Sequence, residues 1–105
     1  MANISIEREL TSSGGRYMAR IDGIVGEAEL TFTRKCQALI TADLAKAPDS
    51  MRGTGAAKAL VERLIADARS ERFKIIPLCS YVKGQYQRHP EWSDVMQDEI
   101  EGHGP

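Results

Sequence analysis

The sequence predicts a mixed α/β (α+β) fold in which an antiparallel sheet is followed by one long and one short helix. Two periodicities predict it. Over the first 47 residues, apolar positions recur with a period close to two, as in strands that are buried on one face. From about residue 54 they recur at steps of three and four, as on one face of a helix.

Four strands account for the first half of the chain. The first contains alternating isoleucines and ends at the turn cluster 11–15. The second and third form a hairpin around Asp22 and Gly23, a pair that favours tight turns. A further turn is predicted at residues 33–35, and the fourth strand begins at residues 36–41. Together these strands form an antiparallel meander.

The second half contains two helices and one strand. An amphipathic helix runs from about residue 54 to about residue 70, with its apolar residues on one face. Residues 73–79 form a buried strand, which must separate from a neighbour near Pro77 because proline has no N–H group for a sheet ladder. A second helix covers residues 80 to about 88, and a polar tail from about residue 92 to residue 105 frays.

Composition and charge limit the class of protein. Of the 105 residues, 42% are hydrophobic and 28% are charged, which is typical of one globular domain, here residues 1–105. A net charge of −1 and the lack of a long apolar segment argue against nucleic-acid and membrane partners. Two cysteines without metal-ligand spacing indicate reduced thiols and no metal site. We therefore expect a cytoplasmic protein, either a monomer or a small homo-oligomer.

The segment from Arg52 to Ala57 is the most informative one, because it places glycines directly before the long helix. Backbone N–H groups and the helix dipole at such a position attract phosphate, so a diphosphate would fit. A tight turn into a helix, without a ligand, is the alternative interpretation. The dinucleotide fingerprint would need a third glycine where Lys58 stands, and the P-loop lysine pattern is absent, which disfavours ATP, GTP and NAD.

The loop resembles the pyrophosphate loop of the GNAT superfamily of acetyl-CoA-dependent N-acetyltransferases, whose pattern is Gln or Arg, x, x, Gly, x, Gly or Ala. Arg52, Gly55 and Ala57 match that pattern. A second motif, from Lys74 to Trp92, looks like a branch of very small GNAT-like proteins of YjdJ type. The resemblance covers about residues 4 to 94.

The resemblance implies both a fold and an activity. The fold would be compact and GNAT-like, with a bent sheet whose central strands, four and five, splay around acetyl-CoA. The activity would be N-acetyl transfer from acetyl-CoA to a primary amine of a small molecule or a protein lysine, by direct attack in a ternary complex and without a metal. A CoA or acyl-CoA binding module with little turnover is the alternative.

The resemblance also implies roles for residues in three segments. Backbone N–H groups of residues 53–57 would hold the pyrophosphate, and strand four near residues 42–44 would bind the pantetheine and polarise the thioester carbonyl. The complete set assigned to acetyl-CoA is Ala42, Asp43, Leu44, Arg52, Gly53, Thr54, Gly55, Ala56, Ala57, Cys79 and Tyr86.

Three residues are candidates for the chemistry. Tyr86 would protonate the departing CoA thiolate, since a phenol keeps its proton at neutral pH; packing on the sheet is the alternative. Cys79 would lie at the acetyl end, either as a packed side chain or as a covalent acetyl relay, which would need an activated thiolate. Many of these small proteins carry a His-Thr pair where Leu44 and Ala45 stand here, so the adjacent Asp43 becomes the candidate for the base; a solvated carboxylate is the alternative.

The remaining cysteine and the histidines receive no catalytic role. We interpret Cys36 as packing in strand four and His89 as part of a turn that packs Trp92. His103 falls in the polar tail.

Overall fold

Five strands and two helices make up the fold of residues 3–97, the part of the chain that this computed structural model describes. The strands are β1 Ile4–Leu10, β2 Gly14–Ile21, β3 Ala28–Cys36, β4 Leu39–Lys46 and β5 Lys74–Pro77. The helices are α1 Ala56–Glu71 and α2 Ser80–Arg88, and two short 3₁₀ helices span Asp49–Met51 and Pro90–Asp94.

The strands form one sheet in the order β1-β2-β3-β4-β5. Neighbours from β1 to β4 are antiparallel, as predicted, but β4 and β5 are parallel because α1 carries the chain back along the sheet between them. The sheet is therefore mixed where the sequence predicted an antiparallel one. Since β5 is the last strand in the order, the pair predicted to splay lies at one side of the sheet and not at its centre.

The turns agree with the sequence at one hairpin and differ at the next. Asp22 and Gly23 form the predicted turn, closed by a hydrogen bond of 3.1 Å from the Ile24 N–H to the Ile21 carbonyl. The turn predicted at residues 33–35 is wrong, because those residues continue β3.

The turn between β3 and β4 lies instead at Gln37 and Ala38. The Arg34 guanidinium fixes it by donating to the carbonyls of Cys36 at 3.3 Å and Gln37 at 2.9 Å. Cys36 thus ends β3 and is exposed, so its predicted packing in strand four is also wrong.

Both helices lie where the periodicity predicts them. The apolar face of α1 packs on β2 and β3, while α2, with the predicted bounds, lies against β4 and β5. The buried face of α1 consists of Ala56, Leu60, Val61, Leu64, Ile65 and Ala68. Neither helix in the described part of the chain is long and apolar enough to cross a bilayer.

The segment after α2 is held on the domain as far as the structure describes it. Trp92 and Val95 are buried in the core, and the Ile75 N–H donates to the Val95 carbonyl at 2.7 Å. The Gln97 N–H returns a bond to the Ile75 carbonyl at 2.8 Å. Residues 92–97, assigned to the polar tail by sequence, are therefore held on the domain, with residues 95–97 along β5, because two apolar side chains anchor an otherwise polar segment. The rest of that tail, including His103, lies outside the described residues.

A buried phenol joins the sheet to α1. Tyr17 of β2 is 0% exposed, and its hydroxyl donates to Asp67 Oδ2 of α1 at 2.8 Å. The same carboxylate accepts from Arg8 of β1 at 3.1 Å and from Arg63 of α1 at 3.1 Å. Burial, reinforced by the bond to Asp67, raises the pKa of Tyr17 above its usual value. The network thus connects two strands and the long helix through one carboxylate.

We expect Tyr17→Phe to lower the free energy of unfolding by about 1.5 to 3 kcal/mol, because it removes a hydrogen bond to a charged group. Urea unfolding followed by circular dichroism measures the change. Glu71→Gln is the matched control: Glu71 bonds to Arg8 in the same network but is partly exposed, so the loss should stay below about 1 kcal/mol.

The pH dependence of the unfolding free energy gives a second check on Tyr17. A folded pKa above the unfolded value means that the native state holds the phenol proton more tightly. The free energy of unfolding should therefore fall as the pH rises above about 10, the ordinary value for tyrosine, and Tyr17→Phe should weaken that fall. Identical alkaline profiles for the two proteins would contradict the assignment.

Candidate functional site

The sheet opens between β4 and β5 after their last pair, Ala42 and Pro77. Beyond Pro77, the N–H groups of Leu78 and Cys79 both donate to the Ala42 carbonyl, at 3.0 and 2.9 Å. α2 then begins at Ser80, so no residue of β5 follows β4 any further. The separation predicted near Pro77 is confirmed, and we call the space beside residues 43–46 of β4, which β5 no longer pairs, the gap.

The loop before α1 has a backbone shape that glycine favours. Gly53 and Gly55 have φ angles of +77° and +85°, in the left-handed region where a side chain would be strained. A Cβ atom built on either residue would meet no atom within 4 Å, so the space above the loop is open. Close approach of a ligand to the backbone is therefore possible.

The N–H groups of this loop fall into two sets. Thr54 donates to the Met51 carbonyl at 3.1 Å, and Ala56 donates to the Thr54 hydroxyl at 3.3 Å, so neither is available to a ligand. The other N–H groups of the loop and the first turn of α1, those of Gly53, Gly55, Ala57 and Lys58, have no acceptor within residues 3–97. These four groups surround the first turn of a 16-residue helix, whose dipole favours an anion there.

Two adjoining clefts, of about 250 and 320 Å³, lie between the end of β4, this loop and α2. They share Ala47, Arg52, Ala57 and Tyr81 as lining residues. The cations Lys46, Arg52 and Lys58 line them against one carboxylate, that of Asp49, so their charge is positive.

Sequence reasoning gave no role to Tyr81, although it lies within the second motif. Its position in the first turn of α2 brings it opposite the loop, a placement that only the packing of α2 determines. Burial raises the pKa of Tyr81, so the phenol stays protonated at neutral pH.

Cys79 and Tyr86 lie on the α2 side of the gap. Cys79 precedes the first residue of α2 and is 6% exposed, with its side chain in the hydrophobic core. Tyr86 is half-buried against the same core. The seven-residue separation places both on one side of α2. Neither lines the two clefts, and the Tyr86 side chain makes no hydrogen bond or ring contact within residues 3–97.

Asp43 lies at a β-bulge, where the register between β3 and β4 shifts by one residue. Its two carboxylate oxygens accept bonds from the hydroxyls of Thr33, at 2.5 Å, and Thr41, at 2.7 Å. Among the described residues Asp43 makes no ion pair. The sequence did not reveal the two threonines, because the partner on β3 depends on the bulge.

The remaining predicted residues are distributed around this gap. Ala42 is fully buried, whereas Leu44 is 51% exposed. His89 stacks on Trp92 with ring centroids 4.5 Å apart and contacts Glu91 at 3.1 Å, which confirms its predicted role in packing Trp92. In the described part of the chain, no group of three His, Cys, Asp or Glu side chains could hold a metal ion.

Comparison with known proteins gives one family and one fold. The family model described as GCN5-related N-acetyl-transferase matches residues 16–95, which include the loop and the gap. The NMR solution structure of a GCN5-like candidate N-acetyltransferase from Staphylococcus aureus is similar, with a TM-score of 0.66 and 24% identity over 88% of each chain. At that identity the likeness shows a shared fold. No curated protein matches the chain.

The two thiols should differ in reactivity because one is exposed and the other is buried. We expect iodoacetamide to modify Cys36 at least about ten times faster than Cys79 in the native protein, since Cys79 must wait for a local opening. Peptide mass spectrometry after timed quenching measures both rates. The same reaction in urea, where the rates should converge, is the control; equal rates in the native protein would show that Cys79 is accessible.

Proposed function

The chain belongs to the GCN5-related N-acetyltransferase family, and from this we propose that it transfers the acetyl group of acetyl-CoA to a primary amine by direct attack in a ternary complex. We place it in the small YjdJ-type branch of the family. The observation that carries the proposal is the set of four unpartnered N–H groups at the start of α1, next to the gap between β4 and β5.

The residues of the loop fit a pyrophosphate. Four N–H donors and a helix N-terminus match an anion with many acceptor oxygens, and Lys58 and Arg52 add positive charge. Tyr81 would close the other side of the cleft. The backbone near Ala42 and Leu44 would bind the pantetheine at the gap, as in the roles the resemblance implies.

When bound, acetyl-CoA supplies an acetyl thioester whose carbonyl carbon is the electrophile. We assign three tasks to the chain. It holds the two reactants together, which converts a bimolecular step into a unimolecular one. Asp43 accepts the proton that the acceptor ammonium must lose, and the Tyr86 hydroxyl donates a proton to the CoA sulfur.

Acetyl transfer exchanges one carbon–sulfur bond for one carbon–nitrogen bond. The amine nitrogen forms a bond to the acetyl carbon while the carbon–sulfur bond breaks, and that electron pair leaves with the sulfur. The thiolate takes the proton from Tyr86, which regains one from water. Asp43 passes the first ammonium proton to water, and the nitrogen loses its second proton to water as well. Because Tyr86 takes one proton back, one proton is released for each ammonium acetylated.

In this proposal Cys79 packs against the acetyl end and does not carry the acetyl group. Its burial in the core supports packing. A covalent relay would require a thiolate, and no side chain of the described residues forms a hydrogen bond or ion pair with this thiol that would activate it.

A binding module for CoA or acyl-CoA, with little turnover, is the second candidate. The observation that favours it is the open character of the clefts, which leave an acceptor without an enclosed pocket. The two candidates differ in one measurement: only an enzyme releases CoA thiol faster when an amine is added.

We expect acetyl-CoA at millimolar concentration to raise the melting temperature of the protein, while ATP and NAD do not, because binding to the native state stabilises it by mass action. Gly55→Val should abolish the shift, since the side chain occupies the space above the loop. Differential scanning fluorimetry measures it.

Gly23→Val is the matched control for Gly55→Val. Gly23 has nearly the same φ, +84°, and equally open surroundings, but it lies in the β2–β3 turn. Both variants should lose similar stability, and Gly23→Val should retain the acetyl-CoA shift. A shift that survives in Gly55→Val would mean that the pyrophosphate binds elsewhere.

Replacing each tyrosine of α2 by phenylalanine separates their roles. Tyr86→Phe removes the proton donor and should lower kcat by about 10² to 10⁴-fold with little change in acetyl-CoA affinity. Tyr81→Phe should leave kcat within about threefold, because its place is at the cofactor cleft. Steady-state assay of CoA release gives both values. The opposite pattern would assign the proton donation to Tyr81 and return Tyr86 to packing.

A further inference from the structure

Within residues 3–97, one face of the sheet is covered by no helix. Both α1 and α2 pack on the same face, since they contact each other and their buried residues join one hydrophobic core. The residues that alternate along each strand with the buried ones point to the opposite face, which we call the open face. Most of that face carries ion pairs between neighbouring strands, such as Arg16 with Glu29 at 2.8 Å and Arg20 with Glu7 at 2.8 Å.

Next to the gap, this open face changes character. Thr31 and Thr33 alternate with the buried Leu30 and Phe32, so they lie on the open face. Their β4 partners are Leu44, which is exposed, and Thr41, which is only 4% exposed. Asp43, bonded to Thr33 and Thr41, belongs to the same surface.

An apolar side chain from the other side of the gap completes the surface. Leu78 directly follows β5, and its N–H donates to the Ala42 carbonyl at 3.0 Å, so it lies beside β4 at the start of the gap. Leu78 is 42% exposed and Leu44 is 51% exposed. They are two of the four large apolar side chains that are exposed in residues 3–97, and they flank the gap.

We propose that this surface, made of Asp43 with its two threonines, Leu44 and Leu78, is the acceptor site and that it takes a singly charged primary amine on a hydrocarbon arm. We call it the acceptor face. The proposal rests on the proposed acetyl transfer. In this arrangement the two reactants reach the gap from opposite sides of the sheet, with acetyl-CoA on the side of the helices.

The charge on this face argues for an acceptor with one ammonium group. Each oxygen of Asp43 accepts one hydroxyl bond, which leaves lone pairs for an ammonium ion. The other carboxylates of the face are already paired with Arg16, Arg20 or Lys46; they are Glu7, Glu9, Glu27 and Glu29. Among residues 3–97, a second ammonium on the acceptor would find no free carboxylate on this face, and a carboxylate on the acceptor would meet Asp43.

The two leucines argue for the hydrocarbon arm. A buried methylene group contributes about 0.8 kcal/mol, which is roughly a fourfold gain in affinity. Half-exposed side chains on both sides of the gap can cover several methylene groups of an arm that lies between them.

Three six-carbon amines test the charge argument with CoA release as the readout. The probes are hexylamine, 1,6-diaminohexane and 6-aminohexanoate, which differ only at the far end. We expect kcat/KM for hexylamine to exceed the other two by at least about tenfold, since only its end is apolar. A preference for the diamine or the amino acid would overturn the proposal.

Substitutions test the surface itself. Leu44→Gln and Leu78→Gln should each raise KM for hexylamine by about fivefold or more relative to KM for methylamine, which has no arm to cover. Leu78→Gln should also leave the acetyl-CoA melting shift intact. Leu10→Gln is the matched control, because Leu10 is 60% exposed on β1 at the far side of the sheet, and its kinetics should equal those of the unmodified protein. Asp43→Asn should lose activity with every amine and keep the acetyl-CoA shift.

The outcomes separate this inference from the function on which it rests. Amine-stimulated CoA release with unchanged KM in both leucine variants would overturn the acceptor face and keep the acetyl transfer. An acetyl-CoA shift without release by any amine would overturn both the acceptor face and the transfer, and would favour the binding module. Absence of the shift as well would remove the cofactor site.

Discussion

The pairing of β4 with β5 ends at the carbonyl group of Ala42, and the arrangement of the site depends on this ending. This carbonyl accepts hydrogen bonds from the N–H groups of both Leu78 and Cys79, the last two residues before α2. The chain therefore leaves β4 at this point and continues as α2. Pro77, which has no N–H group, makes that ending obligatory. The gap, the position of α2 and the exposure of Leu44 all follow from this termination.

The long-range arrangement of charges is organised around the same sheet. Although the net charge is −1, the charged side chains are not evenly distributed. One face of the sheet carries ion pairs between strands, and one end of the molecule carries several cations. The cations lie at the start of α1, where the helix dipole has the same sign. An anion therefore meets one favourable region on a nearly neutral molecule.

Much of the fold was predictable from local patterns. The period of three and four determined α1, and His89 before a proline determined the end of α2. The position of the turn between β3 and β4 was not predictable from sequence. The end of β3 is polar and therefore resembles a turn, whereas Arg34 lies within the strand and its side chain donates to the Gln37 carbonyl. The tail was misjudged since two buried residues, Trp92 and Val95, outweigh the polar average.

The site was predictable only where it is local in sequence. Gly53 and Gly55 identified the loop because their conformations follow from residue type. Contacts between distant residues were out of reach: Thr33 meets Asp43 through a one-residue bulge, and Tyr17 finds Asp67 fifty positions later. Tyr81 required knowledge of how α2 sits on the sheet.

The bonds between Ile75 and the segment ending at Gln97 have a consequence for self-association. β5 is a sheet edge with two isoleucines, and an uncovered edge of that kind is a template for pairing with another chain. The segment occupies those backbone groups and so acts as a shield. At the other edge, β1 relies on alternating charges at Glu7, Arg8 and Glu9. Shortening the chain to residue 94 would thus convert one protected border of the sheet into an aggregation-prone one.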